Sequence, residues 1–329
     1  MHQLTLLTGG EFLSAVLHDI ERAHREVLVE CYIVLDDEVG GALGDALARA
    51  ASRGVVSRLL FDPLGSKKAS MRFFRGLHAR GVEVRAWRRI LTIPGIRHLA
   101  PRDHSRAIVV DDVAYTGGAA FSRQWLPRDK GGEGWRDACV RLEGPGVADL
   151  RDLFRRRWDE SHDSRAAHDL DTKGRYPDIR IIADTPDRHS PLYDAHREVF
   201  AAARRRIWMA NSYFAPPRRM FRVLADAAAR SVDVRVILPA VSDLPLLKLA
   251  ALARVWRWLG AGVRVFEYLP AMFHSKYTIV DDDLCSIGTF NYNSASVGLA
   301  NELNVLVRER GFIASLAAMF EQDLQRCGA

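Results

Sequence analysis

His274 and Lys276 stand two residues apart in Phe273-His274-Ser275-Lys276-Tyr277-Thr278-Ile279-Val280-Asp281. The run is rich in aromatic and β-branched residues and reads as a strand, so the two side chains share one face. An imidazole near neutral pH serves as nucleophile or as general acid and base. Lys276 and, farther on, Asn291 in Ser286-Ile287-Gly288-Thr289-Phe290-Asn291 are able to hold the oxygens of a phosphate. These residue types suit chemistry on a phosphodiester. The pattern occurs twice. His104-Ser105-Arg106-Ala107-Ile108-Val109-Val110-Asp111, 170 residues earlier, keeps the spacing from His to cation to Asp, with Arg in place of Lys. Tyr115-Thr116-Gly117-Gly118 follows it.

The elements that must position these residues also repeat. Ala46-Leu47-Ala48-Arg49-Ala50-Ala51-Ser52-Arg53-Gly54-Val55 matches Val223-Leu224-Ala225-Asp226-Ala227-Ala228-Ala229-Arg230-Ser231-Val232. Each runs on into an apolar stretch, Ser57 to Asp62 and Val234 to Pro239. Gly76 to Val84 matches Trp258 to Val265, and Glu26 to Tyr32 matches Arg206 to Tyr213. Each half therefore reads strand, helix, strand, helix, strand, then the His strand. Alternation of this kind implies an α/β sandwich, and a repeat this long is a duplicated domain. The halves are expected at residues 1–165 and 166–329, with the linker in the polar stretch from Asp159 to Pro177.

Composition sets bounds. The chain has 329 residues, 48% of them hydrophobic, which suffices for two domains with large cores. Mean hydropathy is −0.11. No run of about 18 apolar residues and no signal-like start is visible, so a soluble, cytoplasmic chain is expected. Cys31, Cys139, Cys285 and Cys327 are scattered and read as free thiols, and no cluster demands a metal. The net charge of +6 suits an anionic partner: a membrane surface, a nucleic acid or a phosphorylated metabolite. Only six lysines occur among 47 basic residues, so Lys276 survives where Arg is the rule, and Arg106 follows the rule.

With these residues quoted, the chain resembles the phospholipase D superfamily, whose members carry two H-x-K-x4-D motifs in duplicated halves. Within it the chain is most similar to bacterial cardiolipin synthases. Glu30-Cys31-Tyr32, Asp62-Pro63-Leu64-Gly65-Ser66, Trp135-Arg136-Asp137, Asn211-Ser212-Tyr213-Phe214-Ala215-Pro216 and Asn301-Glu302-Leu303-Asn304 carry that resemblance. It implies one active site at the interface of the two halves, with two histidines, no metal and no cofactor. His104 is expected to attack phosphorus, and His274 to act as acid and base. Asp111 and Asp281 complete the motifs, though both also suit a structural role in the turn after each strand. Glu302 is expected to orient the histidine pair. Asp137 is its nearest counterpart in the first half, or else the partner of a neighbouring Arg. Lys276, Arg106, Thr289, Asn291 and Gly118 are the candidates for holding the phosphate.

The first motif departs from the family in three ways. Arg106 replaces Lys, the turn from Asp111 to Gly117 is one residue shorter than that from Asp281 to Gly288, and Ala120 stands where an Asn is expected. Arg is not a conservative exchange for Lys in a tight site, and one lost oxygen donor can cost about 10²- to 10³-fold in rate. Three readings follow. The first is a phosphatidyltransferase acting on phosphatidylglycerol at the inner face of the cell membrane, bound peripherally and complete as a monomer. The second is a phospholipase or nuclease, although no basic track with stacking aromatics marks a nucleic-acid partner. The third is a catalytically weak lipid-binding protein. Two segments are expected near lipid: Ile90 to Ile96 as a lip over the site, and Leu244 to Leu259 as an amphipathic helix that either meets the membrane or packs on the sheet.

Overall fold

A computed structural model describes residues 1–87, 102–159, 161, 169–186, 189–245, 248–249, 253 and 255–328. The first half contains β1 (Gln3–Thr8), α1 (Gly9–Glu21), β2 (Glu26–Cys31), α2 (Glu38–Ser52), β3 (Val56–Phe61), α3 (Met71–Ala79) and β4 (Glu83–Ala86). It continues with β5 (Arg102–Asp103), β6 (Arg106–Val110), β7 (Val113–Gly117), β8 (Ala138–Glu143) and α4 (Gly146–Asp159). The second half has β9 (Leu170–Asp171), β10 (Ile179–Asp184), α5 (Pro191–Ala202), β11 (Arg206–Asn211), α6 (Arg218–Ala229) and β12 (Asp233–Pro239). A short helix Val255–Gly260 leads to β13 (Arg264–Tyr268), β14 (Lys276–Val280), β15 (Leu284–Gly288) and β16 (Ala300–Val307), then helix Arg310–Leu324 and β17 (Cys327–Gly328).

The duplication is visible in the strand order. The first sheet runs β1-β8-β7-β6-β2-β3-β4, and the second contains β10-β16-β15-β14-β11-β12-β13 in the corresponding places. In both, the three strands joined by helices are parallel and the remainder antiparallel. The expected α/β sandwich of two similar halves is present. Register refines the match between the halves. Cys31 lies opposite Arg106, and Asn211 opposite Lys276. Tyr32 is therefore the counterpart of Ser212.

The two sheets face each other across one core. Leu28, Val109, Val140 and Leu142 from the first meet Ile181, Ile279, Ile287 and Val305 from the second, with Phe154 and Trp158 of α4 and Phe320 of the last helix. Separate clusters lie under the outer helices of each half. The central core belongs to both halves, so neither closes its hydrophobic face alone. Fully buried Arg157 of α4 crosses the seam, bonding Glu30 at 2.7 Å, Ser105 at 2.8 Å and the Asp184 carbonyl at 3.2 Å.

Local chemistry sets the helix starts. Asp37 caps α2 through the amides of Val39 and Gly40, Ser70 caps α3, Ser190 caps α5, and Glu309 caps the last helix. The polar stretch expected as linker is only partly one. The seam falls between α4 and β9, but Leu170 and Asp171 pair with β10, and Tyr176 bonds Asp149 at 2.6 Å. Asp171 also pairs with Arg180 at 2.7 Å, so the described residues 169–177 of this stretch are held by contacts of their own. The expected lip at 90–96 lies outside the described residues. Of the expected amphipathic helix, Trp258 is buried against Phe214 and Phe221, while Leu244, Leu249, Trp256 and Leu259 are exposed.

Candidate active site

β6 and β14 occupy equivalent central positions, and each begins at its cation, with the histidine on the extended approach two residues before. The opposite half pins each histidine. The His104 amide donates to the Asn301 carbonyl at 3.1 Å, and the His274 amide donates to the Arg136 carbonyl at 2.7 Å. The next residue after each of those carbonyls is a carboxylate. Glu302 accepts from Nδ1 of His104, with both oxygens at 3.1 Å, and Asp137 accepts from Nδ1 of His274 at 2.7 Å. Each imidazole is thus oriented by a carboxylate from the other half. A proton held on Nδ1 leaves the lone pair on Nε2, the atom able to attack or to exchange a proton.

The carboxylates are themselves fixed. Glu302 accepts from the Thr289 hydroxyl, and Asp137 accepts from Nε1 of Trp125 at 2.8 Å and from the Ala138 amide at 2.9 Å. Thr289 and Gly118, expected at the phosphate, serve elsewhere. The Thr289 hydroxyl orients Glu302, and its amide donates to Asn304 at 3.0 Å. The Gly118 amide donates to the Ala138 carbonyl at 3.3 Å, and a Cβ there would run into the Asp137 carboxylate. Glycine at 118 makes room for the orienting acid. Asp137 pairs with His274, so its alternative as an Arg partner does not hold.

The cations converge from both halves. Arg106 is fully buried. Its Nη1 donates to the His104 carbonyl at 2.9 Å and lies 3.4 Å from Nε2. Its Nε and Nη2 have no partner among the described residues. Lys276, also buried, donates to Ser212 at 2.9 Å and to the His274 carbonyl, with Nζ 3.1 Å from Nε2 of His274. Burial, then the Lys276 charge and more distantly Arg106, pull His274 down to about 3 against the pull of Asp137. His104 is lowered mainly by burial, with Arg106 and Lys276 adding to it and Glu302 opposing. Each motif's cation therefore lies close enough to act on the other motif's histidine. Burial brings Lys276 down to about 7, although Asp137 favours its charge. Burial alone would raise Asp137, but His274, Lys276 and Trp125 hold it below the ordinary carboxylate range. The His104 side chain keeps 14% of its surface open and that of His274 only 3%.

Asp111 and Asp281 are not at this site. They stand beyond the far ends of β6 and β14 with φ of 48° and 52°. Asp111 accepts from the amides of His24, Arg25 and Glu26, and Asp281 from those of Arg204, Arg205 and Arg206. They lock the hairpin turn onto the start of the neighbouring strand. The hairpins also locate the missing residue. Val110 pairs with Val113 across two residues, and Val280 with Leu284 across three. Ala120 is therefore the counterpart of Asn291, whose Oδ1 is buried without a partner among the described residues.

Sequence reasoning missed the aromatic walls. Tyr32 meets His104 edge-on at 4.9 Å, and Trp125, Trp135 and Tyr213 surround His274 at 5.3, 5.4 and 6.0 Å. Tyr32, Trp135 and Tyr213 lie in segments singled out as motif-like, which was the available signal. Nothing local marked Trp125. Among the described residues no group of three or more His, Cys, Asp or Glu is arranged to hold a metal ion.

Residues 197–324 match the family model described as cardiolipin synthase, PLD-like domain. The chain is 30% identical to cardiolipin synthase 2 of Bacillus anthracis over 98% of its own length, and it spans only 64% of that relative. It is 30% identical to cardiolipin synthase B of Salmonella typhimurium over 96% of its length and 78% of the relative's. The fold is similar to that of phosphatidylserine synthase from Haemophilus influenzae, with a TM-score of 0.72 at 14% identity, covering 99% of this chain and 87% of that one.

Proposed function

Because the chain belongs to the phospholipase D superfamily, on its cardiolipin synthase-like branch, we propose that it is a phosphatidyltransferase that moves a phosphatidyl group from one phosphatidylglycerol to another. The observation that carries this reading is the exchange of carboxylates: two histidines, each held on Nδ1 by an acid from the opposite half, beside one buried cation apiece. That arrangement suits a displacement at phosphorus in two steps. Nε2 of His104, the more open of the two, attacks phosphorus and forms an N–P bond. The bond from phosphorus to the head-group oxygen breaks, and His274 delivers a proton to that oxygen, releasing glycerol. A hydroxyl of the second phosphatidylglycerol then gives its proton to His274 and attacks phosphorus. The N–P bond breaks, and cardiolipin leaves with the histidine restored. Arg106 and Lys276 hold the non-reacting oxygens, and their charges offset the negative charge that builds on them. An anionic phosphate between the cations also opposes their effect on His274 and favours its protonated form. The steps need no group beyond these side chains and the two lipids.

The surroundings of the site support a lipid partner. Tyr213 beside His274 donates to Asp243 at 2.7 Å, which ties the segment after β12 to the site. Val241 and Leu244 on that segment, and Leu269 after the adjacent β13, are exposed. Seven of the ten large hydrophobic residues exposed among the described residues fall between Val241 and Leu299. Exposed apolar side chains on a segment tied to a basic site suit contact with a bilayer of anionic lipid. The reading extends to peripheral association with the inner face of the cell membrane by a monomer, since one chain supplies both motifs. No helix among the described residues is long and apolar enough to cross a membrane.

The test is turnover of labelled phosphatidylglycerol in vesicles with a chelator present, comparing the chain with His274→Ala. Cardiolipin and glycerol from the first, and neither from the second, is the expected result. Phosphatidic acid instead would make water the acceptor. No turnover by a folded, vesicle-bound chain would overturn the reading.

A further inference from the structure

The two halves hold their cations by different means, and the differences fall together. In the second half, Lys276 gives one hydrogen bond to Ser212, Asn211 lies opposite it, and Asn291 stands on the loop above. The Asn211 side chain braces that loop on both sides of Asn291, donating to the Phe290 carbonyl at 3.4 Å and accepting from the Tyr292 amide at 3.3 Å. In the first half all four positions have changed: Arg106 for Lys276, Tyr32 for Ser212, Cys31 for Asn211, and Ala120 for Asn291. The guanidinium lies over the Tyr32 ring at 5.8 Å, so it is supported without using an N–H. Cys31, near enough to Arg106 to feel its charge, donates its thiol to the Ile33 carbonyl at 3.3 Å, and that carbonyl also accepts from the amide of Phe121, next to Ala120.

The consequence is an open fork. Nε–H and Nη2–H of an arginine point the same way, and this chain uses that edge elsewhere to grip acids in pairs, as Arg102 does on Asp62 and Arg180 on Asp171. On Arg106 the same two groups are buried and without a partner among the described residues. A buried, unsatisfied cation edge is costly and calls for an anion with two oxygens in one plane.

We infer that Arg106 and Ala120 act as a matched pair, in which the Arg106 fork alone supplies the two phosphate-oxygen donors that Lys276 and Asn291 supply jointly in the other half, and Ala120 is small so that the fork has room. The first motif is then re-engineered rather than decayed. The inference rests on the proposed phosphodiester chemistry, but it concerns anion binding and is testable without turnover.

The test is a double-mutant cycle on the full chain: Arg106→Lys, Ala120→Asn and the two combined. Inorganic phosphate binding is read by calorimetry, and phosphatidylglycerol turnover is read beside it. Arg106→Lys, which restores the family motif, should weaken phosphate binding on the order of 10- to 100-fold through loss of one charge-assisted hydrogen bond. Ala120→Asn alone should also weaken it, by crowding the fork. The double variant should recover to within about threefold of the parent, a strong non-additivity expected only of coupled sites. Arg106→Met keeps the bulk without the buried charge, so it should fold, and it should bind phosphate no better than Arg106→Lys. Unchanged binding by Arg106→Lys or Arg106→Met, or a double variant that simply adds the two losses, would overturn the pairing. The expected cycle in phosphate binding without lipid turnover would leave the pairing standing and remove the transferase reading.

Discussion

Replacing Lys276 with Met removes an ammonium that the fold buries at a cost. Burial brings its pKa from 10.5 to about 7, while the unfolded chain keeps the ordinary value. At pH 7 the unfolded lysine is fully charged and the folded one about half charged. Linkage then sets the cost to folding at about 4 kcal/mol. Methionine fills nearly the same space without that charge. It forfeits the bonds to Ser212 and to the His274 carbonyl, roughly 1 kcal/mol each. The variant should therefore be more stable by about 2 kcal/mol at pH 7 and catalytically silent, the exchange expected where a site needs a strained group. The sign fixes the pH dependence. A cation whose folded pKa is lowered destabilises fully below about 7, and less and less as pH rises toward 10.5. The advantage of Lys276→Met should be level below pH 7, shrink by up to about 1.4 kcal/mol per pH unit above it, and vanish near pH 9. Urea unfolding followed by tryptophan fluorescence from pH 6 to 9.5 measures this directly. A variant less stable than the parent at pH 7, or an advantage that does not change with pH, would refute the reasoning that burial sets the state of Lys276.

The same lysine predicts that the KM for an anionic substrate rises above pH 7, approaching tenfold per pH unit, because only the charged form holds phosphate; in Lys276→Arg that limb should disappear from steady-state profiles. Asp137→Asn and Glu302→Gln should each lower kcat by about 10²-fold or more with little change in KM, because each sets the tautomer of a histidine in the opposite half. Asp281→Ala should cost on the order of 2 kcal/mol in denaturant unfolding and leave kcat nearly unchanged, since its carboxylate holds backbone amides and not the site. Val241→Glu combined with Leu269→Glu should release the chain from phosphatidylglycerol vesicles in flotation assays, whereas Met71→Glu, exposed on the first half, should not.

The duplicated α/β architecture was legible in the chain because helix and strand periodicities are local, and because the same order of elements occurs twice. That Arg106 lies beside His104 and Lys276 beside His274 was legible for a related reason: a two-residue spacing on extended chain fixes a shared face whatever surrounds it. The departure at Ala120 was also readable once the short turn was noticed. What remained hidden depends on contacts between residues far apart in sequence. That Glu302 orients His104 and Asp137 orients His274 follows from two pieces of pairing across the halves, Asn301 beside Asp103 and Arg136 beside Phe273. No local pattern encodes that pairing. The same holds for Thr289 and Gly118, whose residue types suit a phosphate. In the fold one hydroxyl is spent on Glu302, and the other position has to be empty of side chain for Asp137. Sequence determined which groups could do the chemistry, because side-chain type and spacing survive in any fold. Tertiary structure decided which group answers to which, because burial sets the charge of Lys276 and the opposite half sets the tautomer of each histidine.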